Sequence, residues 1–331
     1  MVSAVRSPFV IRSRRAYASF VAAMLASAIA CGAPAHSRGD EPTAPGAREA
    51  ARGEAPGGFR ERVAIHSGRK LFIACRGKGS PTVVLEAGTG DLGRVWSLEP
   101  SGPGRPVFPA VSRFTRVCVY DRPGTYLLTP DRFSRSDPAA MPRTALDLAR
   151  DLRGLLRAAG VPAPYVLAGH SFGGMVARLY ATAFPRQIAG LVSIDAQNED
   201  FTAAYKEFLT PEQYLSAVLD PPPPVLGYPD YERLALEASA AQVSQAQADT
   251  PLRRMPFVVL SHSRDLPNPF GFPDEWPIDS LNHAFQQSQR MLAELLPNAR
   301  HVVASRSGHY IQLDQPRLVT REIRWAVRRA R

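Results

Sequence analysis

Beyond Glu61 the chain carries a series of short apolar runs: RVAIHS, LFIAC, TVVLEAG, RVCVYD, YVLAG, GLVSID, PFVVLSHS and RHVVASRS. Several are continuous stretches of Val, Ile and Leu, not apolar residues alternating with polar ones. Strands buried on both faces have that pattern, which points to a parallel sheet covered by helices. Helical patterns fall between the runs. In TALDLARDLRGLLRAAG, Leu148, Leu152, Leu155, Leu156 and Ala159 share one helical face; Thr144 is placed to cap its start, and Gly160 with Pro162 ends it. The first two runs are joined only by SGRK, too short for a parallel crossover, so they are predicted to pair as an antiparallel hairpin. The expected fold class is α/β, a mostly parallel central sheet of about eight strands flanked by helices.

One segment interrupts the alternation. Between GLVSIDA and PFVVLSHS lies a long stretch with helical patterns, a PPPP run at Pro221–Pro224 and no strand. It exceeds an ordinary connection and reads as an inserted helical cap. The predicted organisation is a core in two parts, residues 60–195 and 251–331, with the cap at 196–250.

The N-terminus reads as targeting, not fold. Arg6, Arg12, Arg14 and Arg15 precede the apolar run AYASFVAAMLASAIA, which is short of the roughly 20 residues that span a bilayer and suits a secretory signal over 1–35. SRRAY resembles a twin-arginine export signal. Cleavage is expected after Ala35; cleavage before Cys31, in the lipobox-like AIAC, is the alternative and would leave a lipid anchor there. Residues 36–59 are Pro, Gly, Ala and charge without periodicity, and read as a disordered linker. The expected location is the periplasm or the exterior, without a stable membrane span.

Composition alters this picture little. The chain has 331 residues, 45% of them hydrophobic, enough for a sizeable core. Its net charge of +10 comes almost wholly from arginine, partly in the signal and partly at the C-terminus (Arg324, Arg328, Arg329, Arg331). No basic stripe is interleaved with aromatics, so nucleic acid is not predicted as a partner. Cys75 and Cys118 lie inside apolar strand-like runs and read as buried free thiols; pairing stays open for an exported chain. No His/Cys cluster has metal-ligand spacing, and neither a metal nor an organic cofactor is predicted.

The chemistry concentrates in YVLAGHSFGGMVARLYATAFP. A strand, YVLAG, meets a helix at Gly169-His170-Ser171-Phe172-Gly173. So abrupt a turn strains its central residue and requires glycines two positions away on each side. It holds the Ser171 hydroxyl at the sheet edge, at the positive end of a helix, beside free N–H groups.

LEAGTG, YDRPG, GHSFGG and SGHYIQLDQP, in that order, resemble the corresponding motifs of a bacterial branch of the α/β-hydrolase superfamily, and the resemblance runs from about Arg62 to the C-terminus. It implies a serine nucleophile, a histidine base and an orienting acid, in chain order Ser, Asp, His. Of the 7 histidines, His36 falls in the linker, His66 in the first hairpin, His262 inside an apolar strand, His283 in a helical pattern and His301 at a strand start. His170 abuts the serine and points away by strand alternation. His309 alone follows the last strand in a glycine-containing loop, and is the expected base. The acid has two candidates. Asp265, after the strand that follows the cap, matches the commonest family position and is preferred; Asp195, ending the strand before the cap, is the alternative. The oxyanion donors are expected to be the N–H groups of Phe172 and Thr89, with Gly90 the neighbouring choice, because Ala87-Gly88 stands where such families usually have His-Gly.

GTGDLG, a literal Gly-x-Gly-x-x-Gly, is followed by a Pro/Gly-rich stretch and not by the helix a dinucleotide site needs. Asp121 and Arg122 in YDRPG are read as fixing a loop. The expected activity is hydrolysis of a carboxylic ester-like bond in a small acyl substrate through an acyl-enzyme. The alternatives are a ligand-binding protein without turnover, or an acyltransferase or C–C hydrolase using the same residues.

Overall fold

The computed structural model describes residues 58–331, apart from 128–131, 222, 224–226 and 264; the predicted signal segment and almost all of the predicted linker lie outside them. The strands are β1 (Phe59–Ala64), β2 (Lys70–Arg76), β3 (Thr82–Glu86), β4 (Val117–Tyr120), β5 (Tyr126–Leu127), β6 (Arg132–Phe133), β7 (Tyr165–His170), β8 (Ile188–Ile194), β9 (Phe257–Ser261) and β10 (Arg300–Val303). All but β5 and β6 join one 8-stranded sheet in the order β1-β2-β4-β3-β7-β8-β9-β10. β1 pairs antiparallel with β2, and β2 antiparallel with β4; every later pairing in the sheet is parallel. Each predicted run is one of these strands. The short β5–β6 hairpin was not visible as a pattern.

The helices are α1 (Val107–Val111), α2 (Ala145–Ala158), α3 (Phe172–Ala183), α4 (Glu199–Phe208), α5 (Pro211–Tyr214), α6 (Leu236–Asp249), α7 (Ile278–Glu294), α8 (Ile311–Asp314) and α9 (Pro316–Arg329). Thr144 caps α2 in a reciprocal capping box with Asp147. Successive side chains of the parallel strands enter opposite layers. Val84, Leu167, Leu191 and Val259 pack with Leu148, Leu152 and Leu155 of α2 and Val176 and Leu179 of α3. Their neighbours Val83, Val166, Val192 and Val258 pack with Val107 and Val111 of α1 and Val319, Ile323 and Val327 of α9. Both faces are therefore dry, which is why these strands read as unbroken apolar runs. Truncating Leu167, which is 1% exposed, to Ala should cost about 2–5 kcal/mol.

A third apolar cluster lies over the carboxyl ends of the strands. Phe201 of α4, Tyr214 of α5 and Val218 pack against Phe270, Phe272 and Trp276 of the β9–α7 loop and Phe285 of α7. The helices between β8 and β9 thus roof the sheet edge, together with a loop that follows them in sequence.

The free-thiol reading of the cysteines is corrected. Cys75 and Cys118 face each other in the β2–β4 register and form a disulfide, Cα–Cα 4.1 Å. β4 inserts between β2 and β3 in the sheet, a crossover that local pattern does not display, so their adjacency was hidden.

Candidate active site

β7 ends at His170 and α3 starts at Phe172, leaving Ser171 as the entire turn, at φ 52 and ψ −127. A non-glycine residue there is strained. The flanks explain how it is held. A Cβ on Gly169 would lie 2.3 Å from the Gly173 carbonyl oxygen, and one on Gly173 would lie 2.5 Å from the Ala87 oxygen. The Ser171 N–H donates to Ile194 O (3.1 Å), and its carbonyl accepts from the N–H groups of Gly174 (2.9 Å) and Gln197 (2.9 Å). Its side chain caps no helix N–H, so the hydroxyl is left for the cavity it lines.

His309 lines the same cavity from the β10–α8 loop. Its backbone is tied on two sides: its N–H donates to Pro269 O (2.9 Å), and its carbonyl accepts from His170 Nε2 (3.0 Å). Its Nδ1 donates to Asp195 Oδ2 at 2.7 Å. That bond fixes the tautomer and leaves Nε2 with its lone pair outward. Among the described residues no hydrogen bond joins Ser171 Oγ to His309; such bonds often tighten only around substrate.

The carboxylate the structure brings to His309 is Asp195, and the preference for Asp265 is corrected. Asp195 is wholly buried at the end of β8, and its φ of 46 turns the side chain back across the strand ends. Asp265 lies in an exposed turn past the end of β9, where its N–H donates to Ser263 Oγ (3.3 Å). Both residues follow the carboxyl end of a parallel strand. What separates them is a left-handed backbone angle at one of them. Burial alone would raise the Asp195 carboxyl, but the charges and hydrogen bonds of His262 and then His309 outweigh it and hold the group well below the usual carboxylate range.

The second partner of Asp195 was missed. His262, read as a strand residue, comes directly after β9. Its backbone N–H donates to Asp195 Oδ1 (2.7 Å), its Nδ1 lies 2.9 Å from Oδ2, and its Nε2 lies 2.8 Å from Asn282 Oδ1. The usable signal was the polar SHS tail of an otherwise apolar run.

The loop after β3 supplies the other wall. Arg122 is 2% exposed and spends its guanidinium on Glu232 (Nε to Oε1, 2.6 Å; Nη2 to Oε2, 2.9 Å), Glu86 (Nη1 to Oε1, 2.7 Å) and the carbonyls of Ala87 and Gly88. Glu232 also accepts from the Gly90 N–H (2.7 Å). The Gly90 donor is thereby occupied, while among the described residues the N–H groups of Thr89 and Phe172 have no acceptor. Asp121 accepts from Gly93 N–H (3.1 Å) and Arg135 Nε (2.6 Å), so YDRPG fixes loops as its sequence suggested. GTGDLG runs into a short 3-10 turn, Gly93–Ser97.

His170 belongs to the site rather than pointing clear of it. Besides holding the His309 carbonyl, its ring packs 4.6 Å from that of His309, and burial pushes its pKa down to about 3, so it is neutral. Its Nδ1 lies 4.0 Å from Asp91 Oδ2, and burial pushes the Asp91 carboxyl up to about 7 against the pull of Arg122. The cavity measures about 170 Å³, and its far wall is Tyr205, Ala217, Val218 and Leu234 from the segment between β8 and β9. Among the described residues no group of His, Cys, Asp and Glu is arranged to hold a metal ion.

A sheet of this order with a serine on the β7–α3 turn defines an architecture, and the comparisons agree with it. The model of the alpha/beta hydrolase family matches residues 83–322, and the chain belongs to that family. It is 27% identical over 293 residues to the probable transporter efuK of Hormonema carpetanum, covering 76% of this chain but only 40% of that protein. It is 24% identical over 282 residues to the putative carbamate hydrolase RutD of Pseudomonas syringae, covering 76% of this chain and 96% of that one. Among solved structures it resembles a thermophilic esterase from Thermogutta terrifontis, with a TM-score of 0.53 and 20% identity over 82% of this chain and 99% of the esterase.

Proposed function

We propose that this protein is a serine hydrolase that cleaves a carboxylic ester-like bond through an acyl-enzyme, with Ser171 as nucleophile, His309 as base and Asp195 as orienting acid. The observation that carries the reading is the 2.7 Å bond from His309 Nδ1 to the buried Asp195, in a cavity shared with the strained Ser171. With Nδ1–H given to the carboxylate, Nε2 takes the Ser171 proton as Oγ attacks the carbonyl carbon. The negative charge that develops on the carbonyl oxygen is met by the N–H groups of Phe172 and Thr89, the first at the positive end of α3. The proton on Nε2 passes to the departing alcohol oxygen. A water then gives its proton to Nε2 and attacks the acyl carbon; the bond from that carbon to Ser171 Oγ breaks, the Nε2 proton returns to Oγ, and the acid leaves. Asp195 stays ionised and stabilises the imidazolium at each transfer.

The walls favour an apolar acyl or alkoxy group of modest size. A carbamate, by analogy with RutD, is the second bond type to assay, since the same attack and the same donors serve it. An exported location is proposed too; the Cys75–Cys118 bridge supports an oxidising compartment. The test is labelling by a fluorophosphonate together with a panel of esters, amides, lactones and carbamates. Labelling abolished by Ser171→Ala and turnover of an ester by the wild type are expected. A wild type that neither labels nor turns over any acyl compound would leave the ligand-binding alternative standing.

A further inference from the structure

Asp195 serves two histidines, and the reaction as described uses one. His262 is fully buried, stacked on Phe285 at 4.9 Å and edge-on to Phe270 at 5.0 Å, with no path to substrate. Both of its ring nitrogens face oxygen: Nδ1 the Asp195 carboxylate, Nε2 the Asn282 amide oxygen. A neutral imidazole donates from one nitrogen only, so with the oxygen of the Asn282 amide, and not its N–H, toward Nε2, the two acceptors call for protons on both. We infer that His262 is a charged positioning residue: its imidazolium, sharing the Asp195 carboxylate with His309, offsets the charge of that carboxylate and so keeps the base free to lower pH. The inference rests on the serine-hydrolase reading for what His309 does.

The surroundings leave the charge little other compensation. Among the described residues the titratable groups facing His262 are Asp195 at the end of β8 and, across that carboxylate, His309. α7 presents the neutral Asn282, Phe285 and Gln286, whose Nε2 donates to the His262 carbonyl (3.3 Å), and the β9–α7 loop presents Phe270. Burial opposes the charge, but the Asp195 carboxylate outweighs it and holds the His262 ring above the ordinary histidine range. A lone carboxylate would favour protonation of His309 by the full attraction of one negative charge. With an imidazolium on its other side, the pair is close to neutral and that attraction falls.

The test compares the rate of fluorophosphonate labelling of Ser171 against pH for the wild type and His262→Asn. Asparagine can still donate to Asp195 but carries no charge. The acid limb of the profile should move up by about one pH unit, so that near the wild-type midpoint the variant labels several-fold more slowly, while the two rates converge at high pH. A limb that stays in place overturns the inference, as does a loss of rate that is uniform in pH, which a merely structural role would give. Nitrogen-15 spectra of the wild-type histidine rings decide the point without a variant: both His262 nitrogens should be protonated across the whole acid limb, and one unprotonated nitrogen sinks the idea. A wild type that does not label at Ser171 would instead defeat the hydrolase reading.

Discussion

Two buried charge clusters stand at the same edge of the sheet, one after β8 and β9, the other after β3 and β4. In the first, a single carboxylate, Asp195, lies between two histidines; in the second, a single guanidinium, Arg122, lies between two carboxylates, Glu86 and Glu232. Both are dry and both are densely hydrogen-bonded. They differ in what is left over. Every N–H of the Arg122 guanidinium is directed at a carboxylate or a main-chain carbonyl of the loop. Among the described residues the Asp195 cluster ends on a group without a hydrogen-bond partner, His309 Nε2, on the ring that lines the cavity with Ser171. A closed cluster can only hold its loop in place, whereas an open one can exchange a proton with something that enters. Under the proposed function, burial and charge do not separate the structural cluster from the chemical one; the outward lone pair does.

The most severe test of that distinction is the proposed acid. Asp195→Asn should lower turnover about 10⁴-fold, because an amide in place of the carboxylate no longer fixes the imidazole tautomer or stabilises its charge. Asp265→Asn, on an exposed turn, should leave turnover and stability near the wild-type values. Steady-state kinetics on both variants, with thermal melts to verify folding, settles it. The reverse result would mean that the open cluster has been assigned to the wrong edge of β9.

The closed cluster should fail differently. Arg122→Met leaves Glu86 and Glu232 buried without their cation, a loss of about 3–5 kcal/mol. Chemical denaturation should show it as an early midpoint, while the protein that remains folded at low temperature still labels at Ser171. If stability were kept and labelling lost, Arg122 would have to be counted with the chemistry.

How much of this was legible beforehand follows from the reach of each signal. The parallel strands could be recognised because their double burial writes a continuous apolar run. The Ser171 turn could be recognised because steric exclusion demands glycine at 169 and 173, within a few residues of it. His309 was put forward from its place after the last strand alone, and its ring lines the cavity that Ser171 lines. The carboxylate that meets His309 needed more: GLVSID and PFVVLSHS both end where a carboxylate would suit, and the backbone angle at Asp195 and the position of the His309 ring separate the two. Glu232, which ties Gly90 and Arg122 to the segment between β8 and β9, lies far from both in sequence and carried no local mark. The Cys75–Cys118 bridge was hidden for the same reason, since strand order is a property of the assembled sheet.

Gly88 joins the two clusters, and a methyl group there should disturb the open one. Its carbonyl accepts from Arg122, and a Cβ on it would lie 2.9 Å from His170 Nδ1, 3.2 Å from Asp91 Oδ2 and 3.2 Å from Ser171 Cβ. The first two of these neighbours are buried and cannot retreat to solvent. Gly88→Ala should therefore shift the serine or the loop by a fraction of an ångström and cost on the order of 10²-fold in kcat, with KM less affected. An unchanged kcat would show that the loop yields freely, and would weaken the view of Arg122 as its rigid mount.

The smallest effect concerns Asp91, the carboxyl between the two clusters that neither one neutralises. Its second oxygen is buried and unpartnered, and its pKa is pushed up to about 7 by burial. The folded protein therefore keeps a proton on Asp91 that the unfolded chain gives up near the ordinary aspartate range. Between those two values the folded state binds more protons, so this group makes stability fall as pH rises, and its contribution is level again above about 7. His170 acts in the opposite sense over an overlapping window: its pKa of about 3 in the folded state makes stability fall as pH drops below the ordinary histidine range. The two slopes largely cancel in the wild type, and removing one exposes the other. Asp91→Asn should gain on the wild type steadily as pH is raised from about 4 to 7 in a series of melts, and then run parallel to it. A difference in Tm that does not vary with pH would mean that Asp91 is ionised in the fold, and that the closed cluster around Arg122 extends to a third carboxylate.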